Sequence, residues 1–186
     1  MLQQEFELVE KAKTETEAFS QLYEHYLPKI YGYIYKRVGK QHQAEDLTSQ
    51  TFLKMVENFA RQTFTEGGFK SWLYRIATNT VIDYYRTQKK VEPIDEHLEI
   101  RDPESSPAEE LSQKENREAV LGVLALLPEK HQQVLHLKFF ADLSNVEIAA
   151  SLGITENHLG VQLHRALQAF QKLYNSDRKR SGSVAI

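Results

Sequence analysis

Five side chains between residues 72 and 86 have the chemistry to hold an unpaired strand of nucleic acid. At 100 degrees per helical residue they fall within an arc of about 80 degrees, so one helix face would present them together. They are Trp72, Arg75, Asn79, Asp83 and Arg86. An indole ring stacks on a base, guanidinium groups attract phosphates, and an amide bonds a base edge. A core tryptophan beside a solvated row of charges has the same spacing, so the pattern alone leaves both interpretations open.

The C-terminal part of the chain has residues that typically begin and end two short consecutive helices. Ser144 precedes an apolar stretch, and Glu147 lies three residues later, which is the spacing of a capping box. Gly153 supplies the left-handed backbone that ends this helix, and Thr155 can cap the next one. The pattern predicts a helix-turn-helix, whose second helix enters the major groove of DNA. An ordinary helical hairpin packed in a core has similar capping residues.

The second helix of this pair would carry the residues that read DNA. The candidates for its DNA face are Glu156, Asn157, His158, Gln162 and Arg165. Two of them, Asn157 and Gln162, are chemically able to pair with adenine.

Amphipathic helices must position both sets of residues. Apolar residues recur at spacings of three and four in seven stretches: 18–38, 43–60, 68–90, 115–127, 129–140, 144–152 and 155–175. No strand-like alternation competes with this pattern. We therefore expect an all-α protein of two small helical domains joined by a flexible acidic linker.

The predicted linker, residues 91–116, is where the negative charge concentrates. The whole chain has 23 basic and 26 acidic side chains, a net charge of −3. Residues 91–116 hold 2 basic and 9 acidic side chains, whereas the segments on either side are each slightly basic. Three prolines and few large apolar residues favour an extended segment, and a plain solvated spacer is the simplest interpretation.

The composition excludes several other classes of protein. No apolar run approaches the roughly eighteen residues of a membrane span, and the first residues lack the features of a secretory signal. There is no cysteine, so a reducing cytoplasm is the expected location. No phosphate-cradling loop, metal-ligand cluster or nucleophile motif is evident, so we expect neither an enzyme nor a cofactor.

A longer C-terminal pattern resembles a known family. The chain has Leu127, Pro128, Lys130, Val134 and Leu137 in the pattern LPxKxxxVxxL, followed by LSxxEIAxxLGI and LHRAL. This pattern is similar to region 4 of bacterial sigma factors, which binds the minus 35 promoter element. Where many relatives have Thr-Val-Lys-Ser-Arg, this chain has the stretch His158-Leu159-Gly160-Val161-Gln162. Two usual cations are missing there, so the resemblance implies weakened or altered minus 35 binding.

The run Trp72-Leu73-Tyr74-Arg75-Ile76-Ala77, with Asn79 and Asp83, resembles sigma region 2, where the minus 10 element is melted. The resemblance implies that the row from Trp72 to Arg86 contacts this element. It also implies that Phe64, in the preceding loop 63–70, helps to hold a flipped base, although a simple turn is equally compatible with the two glycines of this loop. The residues that match the family's polymerase-binding helix are Glu45, Asp46, Ser49 and Gln50. Of these, Asp46 matches the family pattern best.

Taken together, the chain resembles the extracytoplasmic-function (ECF) group of sigma-70 family sigma factors. The resemblance divides it into region 2 over residues 1–90, the linker over 91–116, region 4 over 117–175 and a basic flexible tail over 176–186. It implies three partners: core RNA polymerase, bound at its clamp and flap, promoter DNA and an anti-sigma factor. By analogy with the family, it also implies that the acidic linker occupies the path that nascent RNA will use. The alternatives are a helix-turn-helix regulator that acts alone and a degenerate sigma-like adaptor that binds polymerase or an anti-sigma factor.

Overall fold

The computed structural model describes residues 2–88, 119–141 and 143–181, and most of these residues are helical. The helices are α1 (Leu2–Lys11), α2 (Thr16–Val38), α3 (Gln41–Phe59), α4 (Gly68–Gln88), α5 (described over 119–125), α6 (Glu129–Phe140), α7 (Asn145–Leu152) and α8 (Glu156–Ser181). No strand occurs in the described ranges, so the predicted all-α class is confirmed. The linker prediction, residues 91–116, lies outside them.

Helices α2, α3 and α4 pack on one another around a core rich in aromatic rings. Leu47, Phe52 and Met55 of α3 face this core, and each is at most 5% exposed. The Tyr33 hydroxyl of α2 lies 2.8 Å from the Thr78 hydroxyl of α4, which satisfies two buried polar groups at once. These contacts fix the rotation of α4 and hence the direction of its polar face.

Helix α1 was not predicted from the sequence. It packs against α2 through the buried side chain of Val9, and the Tyr26 hydroxyl of α2 donates a hydrogen bond to the Glu5 carboxylate of α1. Burial and this bond to a carboxylate raise the pKa of Tyr26. The helix therefore belongs to the first half of the molecule, where it covers one side of α2.

Helices α6, α7 and α8 form the second half, with α5 preceding them. The core of this second half includes Leu135 and Leu137 of α6, Ile148 of α7 and Leu159 of α8, all of which are buried. Helix α8 extends to Ser181, into the segment predicted as a tail, and residues 182–186 lie outside the description. In the described parts of the chain, no helix is both long and apolar enough to cross a membrane.

The two halves pack directly against each other. Helix α4 contacts α7, and α2 contacts α6. On the second of these seams the Lys36 ammonium lies 5.2 Å from the ring centroid of Phe140, and His136 is buried beside Arg37. The buried apolar residues of both halves consequently form one continuous cluster.

Candidate nucleic-acid interface

Helix α4 has one buried face and one exposed polar face. Leu73, Ala77 and Val81 point into the core and are fully buried. The predicted polar row lies on the other side: Arg75, Asn79, Asp83 and Arg86 are exposed, and Trp72 is half-buried. The structure thus brings the five predicted residues onto one helix face, where successive turns present a ring, two cations and an amide.

Phe64 occupies a different position from the rest of this set. It is only 7% exposed and packs edge-on against Trp72, with 5.2 Å between the ring centroids, and against Phe69 at 5.5 Å. The Lys13 ammonium lies 5.5 Å from the Phe64 ring centroid. A base could stack on Phe64 only after this packing had been displaced, whereas Trp72 already offers part of its ring to solvent.

Arg75 is exposed, but its guanidinium group makes two hydrogen bonds. Its Nε donates to the backbone carbonyl of Ser151 at 3.0 Å, and its Nη2 donates to that of Ala150 at 2.5 Å. Both acceptors belong to the last turn of α7, in the other half of the molecule. No sequence pattern indicated this contact.

The predicted helix-turn-helix is present in α7 and α8. The Glu147 backbone N–H donates to the Ser144 hydroxyl at 3.3 Å, and the Ser144 N–H donates to the Glu147 carboxylate at 2.7 Å, which completes the capping box. Gly153, at φ 67°, ends α7 in the left-handed conformation. The His158 N–H then donates to the Thr155 hydroxyl at 3.3 Å, so that Thr155 caps α8 as predicted.

The first turns of α8 present the second predicted set. Glu156, Asn157, His158 and Arg165 are exposed and Gln162 is half-buried, while Leu159 and Ala166 anchor the opposite face of the helix in the core. The Gln162 amide donates to the His158 ring at 3.1 Å between the two Nε2 atoms, which ties two of the candidate DNA contacts together. Gly160 lies on the exposed side with open space around its α-carbon.

The outer face of α3 has an apolar part that sequence reasoning missed. Glu45, Asp46, Ser49 and Gln50 are exposed as predicted. Leu53 and Val56, one helical repeat further on, are 60% and 53% exposed. The signal was available, because residues seven positions apart share a face and Leu53 follows Asp46 by seven. The face is therefore acidic at one end and apolar at the other, which suits a protein partner.

The electrostatics of this face are modest. A backbone hydrogen bond and the nearby Asp46 carboxylate, 3.1 Å from the ring Nδ1, raise the pKa of His42. Among the residues described, no group of His, Asp and Glu side chains could hold a metal ion.

Comparison with known families identifies both halves of the chain. A profile of sigma-70 region 2 matches residues 22–91, and a profile of sigma-70 region 4 matches residues 117–170. The first match contains α4 and its polar row, and the second contains the helix-turn-helix.

Whole-chain relatives agree with these matches. The ECF RNA polymerase sigma factor BldN of Streptomyces coelicolor is 33% identical over 176 residues, which cover 93% of this chain and 67% of BldN. The ECF RNA polymerase sigma factor SigW of Bacillus subtilis is 28% identical over 170 residues, covering 86% of this chain and 90% of SigW.

Two solved structures have a similar fold. CnrH, in complex with the cytosolic domain of CnrY, has a TM-score of 0.69 and 20% identity, covering 92% of this chain and 97% of CnrH. The sigma factor RpoE, in complex with the anti-sigma factor NepR from Bartonella quintana, has a TM-score of 0.65 and 19% identity, covering 86% of this chain and 98% of RpoE.

Proposed function

Because this chain belongs to the ECF group of the sigma-70 family of RNA polymerase sigma factors, we propose that it starts transcription by means of three surfaces. The polar face of α4 captures the melted minus 10 element, the first turns of α8 contact the minus 35 element, and the outer face of α3 binds the polymerase clamp. The observation that carries the proposal is the α4 face, where Trp72 and the exposed row ending at Arg86 lie together.

Capture of unpaired bases is the physical task of α4. Unstacking a base costs a few kcal/mol, and a ring that restacks the base offsets part of this cost. The partly exposed indole of Trp72 supplies such a ring, and Asn79, about two turns further along the helix, offers both a donor and an acceptor. Arg86 adds a cation for the phosphate backbone. The step changes binding only, so we propose that the chain itself catalyses no covalent reaction and needs no cofactor.

The minus 35 contact is proposed to be weaker than the minus 10 contact. The exposed start of α8 offers amide groups at Asn157 and Gln162 but a single guanidinium, that of Arg165. Few cations mean little phosphate attraction, and the Gln162 amide is already bonded to His158. Promoter choice would then depend mainly on α4.

Protein partners complete the proposal. The exposed acidic and apolar face of α3 suits the polymerase clamp, and we propose the flap as a second polymerase contact for region 4 on the basis of family membership. An anti-sigma factor is a further proposed partner, because RpoE was solved with the anti-sigma factor NepR. We propose a cytoplasmic location, since bacterial promoter DNA and RNA polymerase are found there.

The test is transcription in vitro with bacterial core polymerase, the purified chain and a library of genomic fragments, with sequencing of the transcript starts. We expect defined starts that share an upstream element. Trp72→Ala and Asn79→Ala should lower transcription about fivefold or more, because each removes a contact to the melted strand worth roughly 1 to 3 kcal/mol.

Leu167→Ala, at an exposed position of α8 outside all three surfaces, is the matched control and should leave the starts unchanged. Core binding without any defined start would replace the proposal with a sigma-like adaptor.

A further inference from the structure

We propose that the chain inhibits itself: Arg75 of α4 locks onto the C-terminal end of α7, and this contact excludes the contact of Arg75 with promoter DNA. The inference rests on the proposed function of α4. It adds an internal competitor for the DNA-binding face, which no partner needs to supply.

The lock uses the unsatisfied end of a helix. The last carbonyls of an α-helix have no partner within the helix and carry its negative partial charge, so a cation is favoured there. Gly153 N–H bonds the carbonyls of Ala149 and Ala150, and the Arg75 guanidinium bonds those of Ala150 and Ser151. Arg75 therefore acts as part of the C-terminal cap of a helix that belongs to the other half of the molecule.

A second contact lies one turn further back on both helices. The Lys70 ammonium of α4 is 3.6 Å from the Glu147 carboxylate of α7, and both side chains are less than 20% exposed. Glu147 is also the capping-box residue of α7, so its position is fixed by the Ser144 N–H. On α4, Lys70 comes before Arg75, and on α7 their partners come in the same order, Glu147 before Ser151. The two contacts therefore hold α4 along the length of α7.

The seam between α2 and α6 closes together with this lock. The Lys36 ammonium lies over the Phe140 ring, and His136 is buried beside Arg37. Because packed interfaces separate cooperatively rather than gradually, the halves are expected to populate a closed and an open arrangement.

Binding of Arg75 to α7 and to DNA cannot coincide. Its Nε and Nη2 donors point at carbonyl oxygens, and α7 occupies the space beside them. Asn79, Asp83 and Arg86, further along the same face, make no contact with α7 among the hydrogen bonds and ion pairs of the described residues. Arg75 therefore contacts α7 in the closed arrangement and Arg86 does not, so Arg86, on the same face, is the matched control.

The experiment measures opening without DNA or polymerase. The chain has no cysteine, so Glu57→Cys on α3 and Gln168→Cys on α8, both exposed, accept a donor and acceptor dye for single-molecule energy transfer.

Arg75→Ala should increase the ratio of open to closed molecules about tenfold or more, because bonds from a charged donor are lost. Arg86→Ala should leave the ratio unchanged. Glu147→Gln, which loses the ion pair but can keep the capping box, should increase the ratio roughly two- to fivefold.

A wild-type ratio in both Arg75→Ala and Glu147→Gln would overturn the lock, whatever the transcription assay shows. Glu147→Gln also tests the inhibition, because Glu147 lies outside the DNA-binding face of α4. At a promoter mapped by the transcription assay, it should speed open-complex formation by the same factor as it increases opening. An increased open population with an unchanged or slower rate would show a lock that does not inhibit. A lock with no defined transcript start would instead contradict the proposed function.

Discussion

At the scale of the residue, His136 of α6 is a histidine buried at the seam between the two halves. It is 4% exposed, and its Nδ1 lies 2.7 Å from the Gln132 carbonyl oxygen. Burial, and secondarily the positive charge of Arg37, lower its pKa from 6.5 to about 4. The folded chain therefore holds a neutral imidazole at pH values where the unfolded chain binds a proton.

The sign of the pH dependence follows from this difference. The contribution of His136 to the free energy of unfolding is fully present above its unfolded pKa of 6.5 and is lost as the pH falls towards its folded pKa of about 4. Between pH 7.5 and pH 5.0 we expect His136 to account for a loss of about 2 kcal/mol in the free energy of unfolding. Urea denaturation at the two pH values measures this loss, and His136→Gln should remove most of it.

His164→Gln, at an exposed position of α8, is the matched control and should keep the wild-type pH dependence. If His136→Gln shows the full wild-type loss, other groups are responsible for the pH dependence.

At the scale of the element, α8 is weakened by a glycine within its first two turns. Gly160 sits in regular helix, and a β-carbon added there would meet nothing within 4 Å. Because glycine loses more backbone entropy than alanine on folding, Gly160→Ala should raise the free energy of unfolding by about 0.5 to 1 kcal/mol. Thermal or urea denaturation checks the change.

Gly153→Ala provides the contrast, because its φ of 67° disfavours any side chain. It should destabilise the protein by about 1 to 2 kcal/mol. A Gly160→Ala variant no more stable than wild type would mean that α8 begins irregularly in solution.

Helical period explains which elements could be predicted. The stretches 18–38 and 43–60 lie within two residues of α2 and α3, since their buried residues recur with the period of a helix. The Ser144 and Gly153 signals marked the two ends of α7 because caps depend on local residues. Helix α1 is short, and short helices owe their stability to packing rather than propensity. Its buried Val9 and its bond from Tyr26 become visible only when α2 is in place.

At the scale of the whole molecule, the closed arrangement is the feature that sequence reasoning could not reach. The side of α4 on which Arg75 lies follows from the helix period, but its acceptors, Ala150 and Ser151, are 75 and 76 positions away. Backbone carbonyls are common to every residue, so no residue type marks them as partners. Likewise, Phe64 precedes α4 in a turn-like loop, and only the packing of Phe69 and Trp72 around it shows that it is buried.

The central claim is that α4 captures melted promoter DNA, and permanganate footprinting at a mapped promoter tests it most directly. With core polymerase and the wild-type chain, thymines in the minus 10 region should become reactive. Asn79→Ala and Trp72→Ala should lower this reactivity about fivefold or more while core binding persists, and Leu167→Ala should retain it. Full reactivity in both α4 variants would contradict the account, because melting would then depend on some other part of the chain.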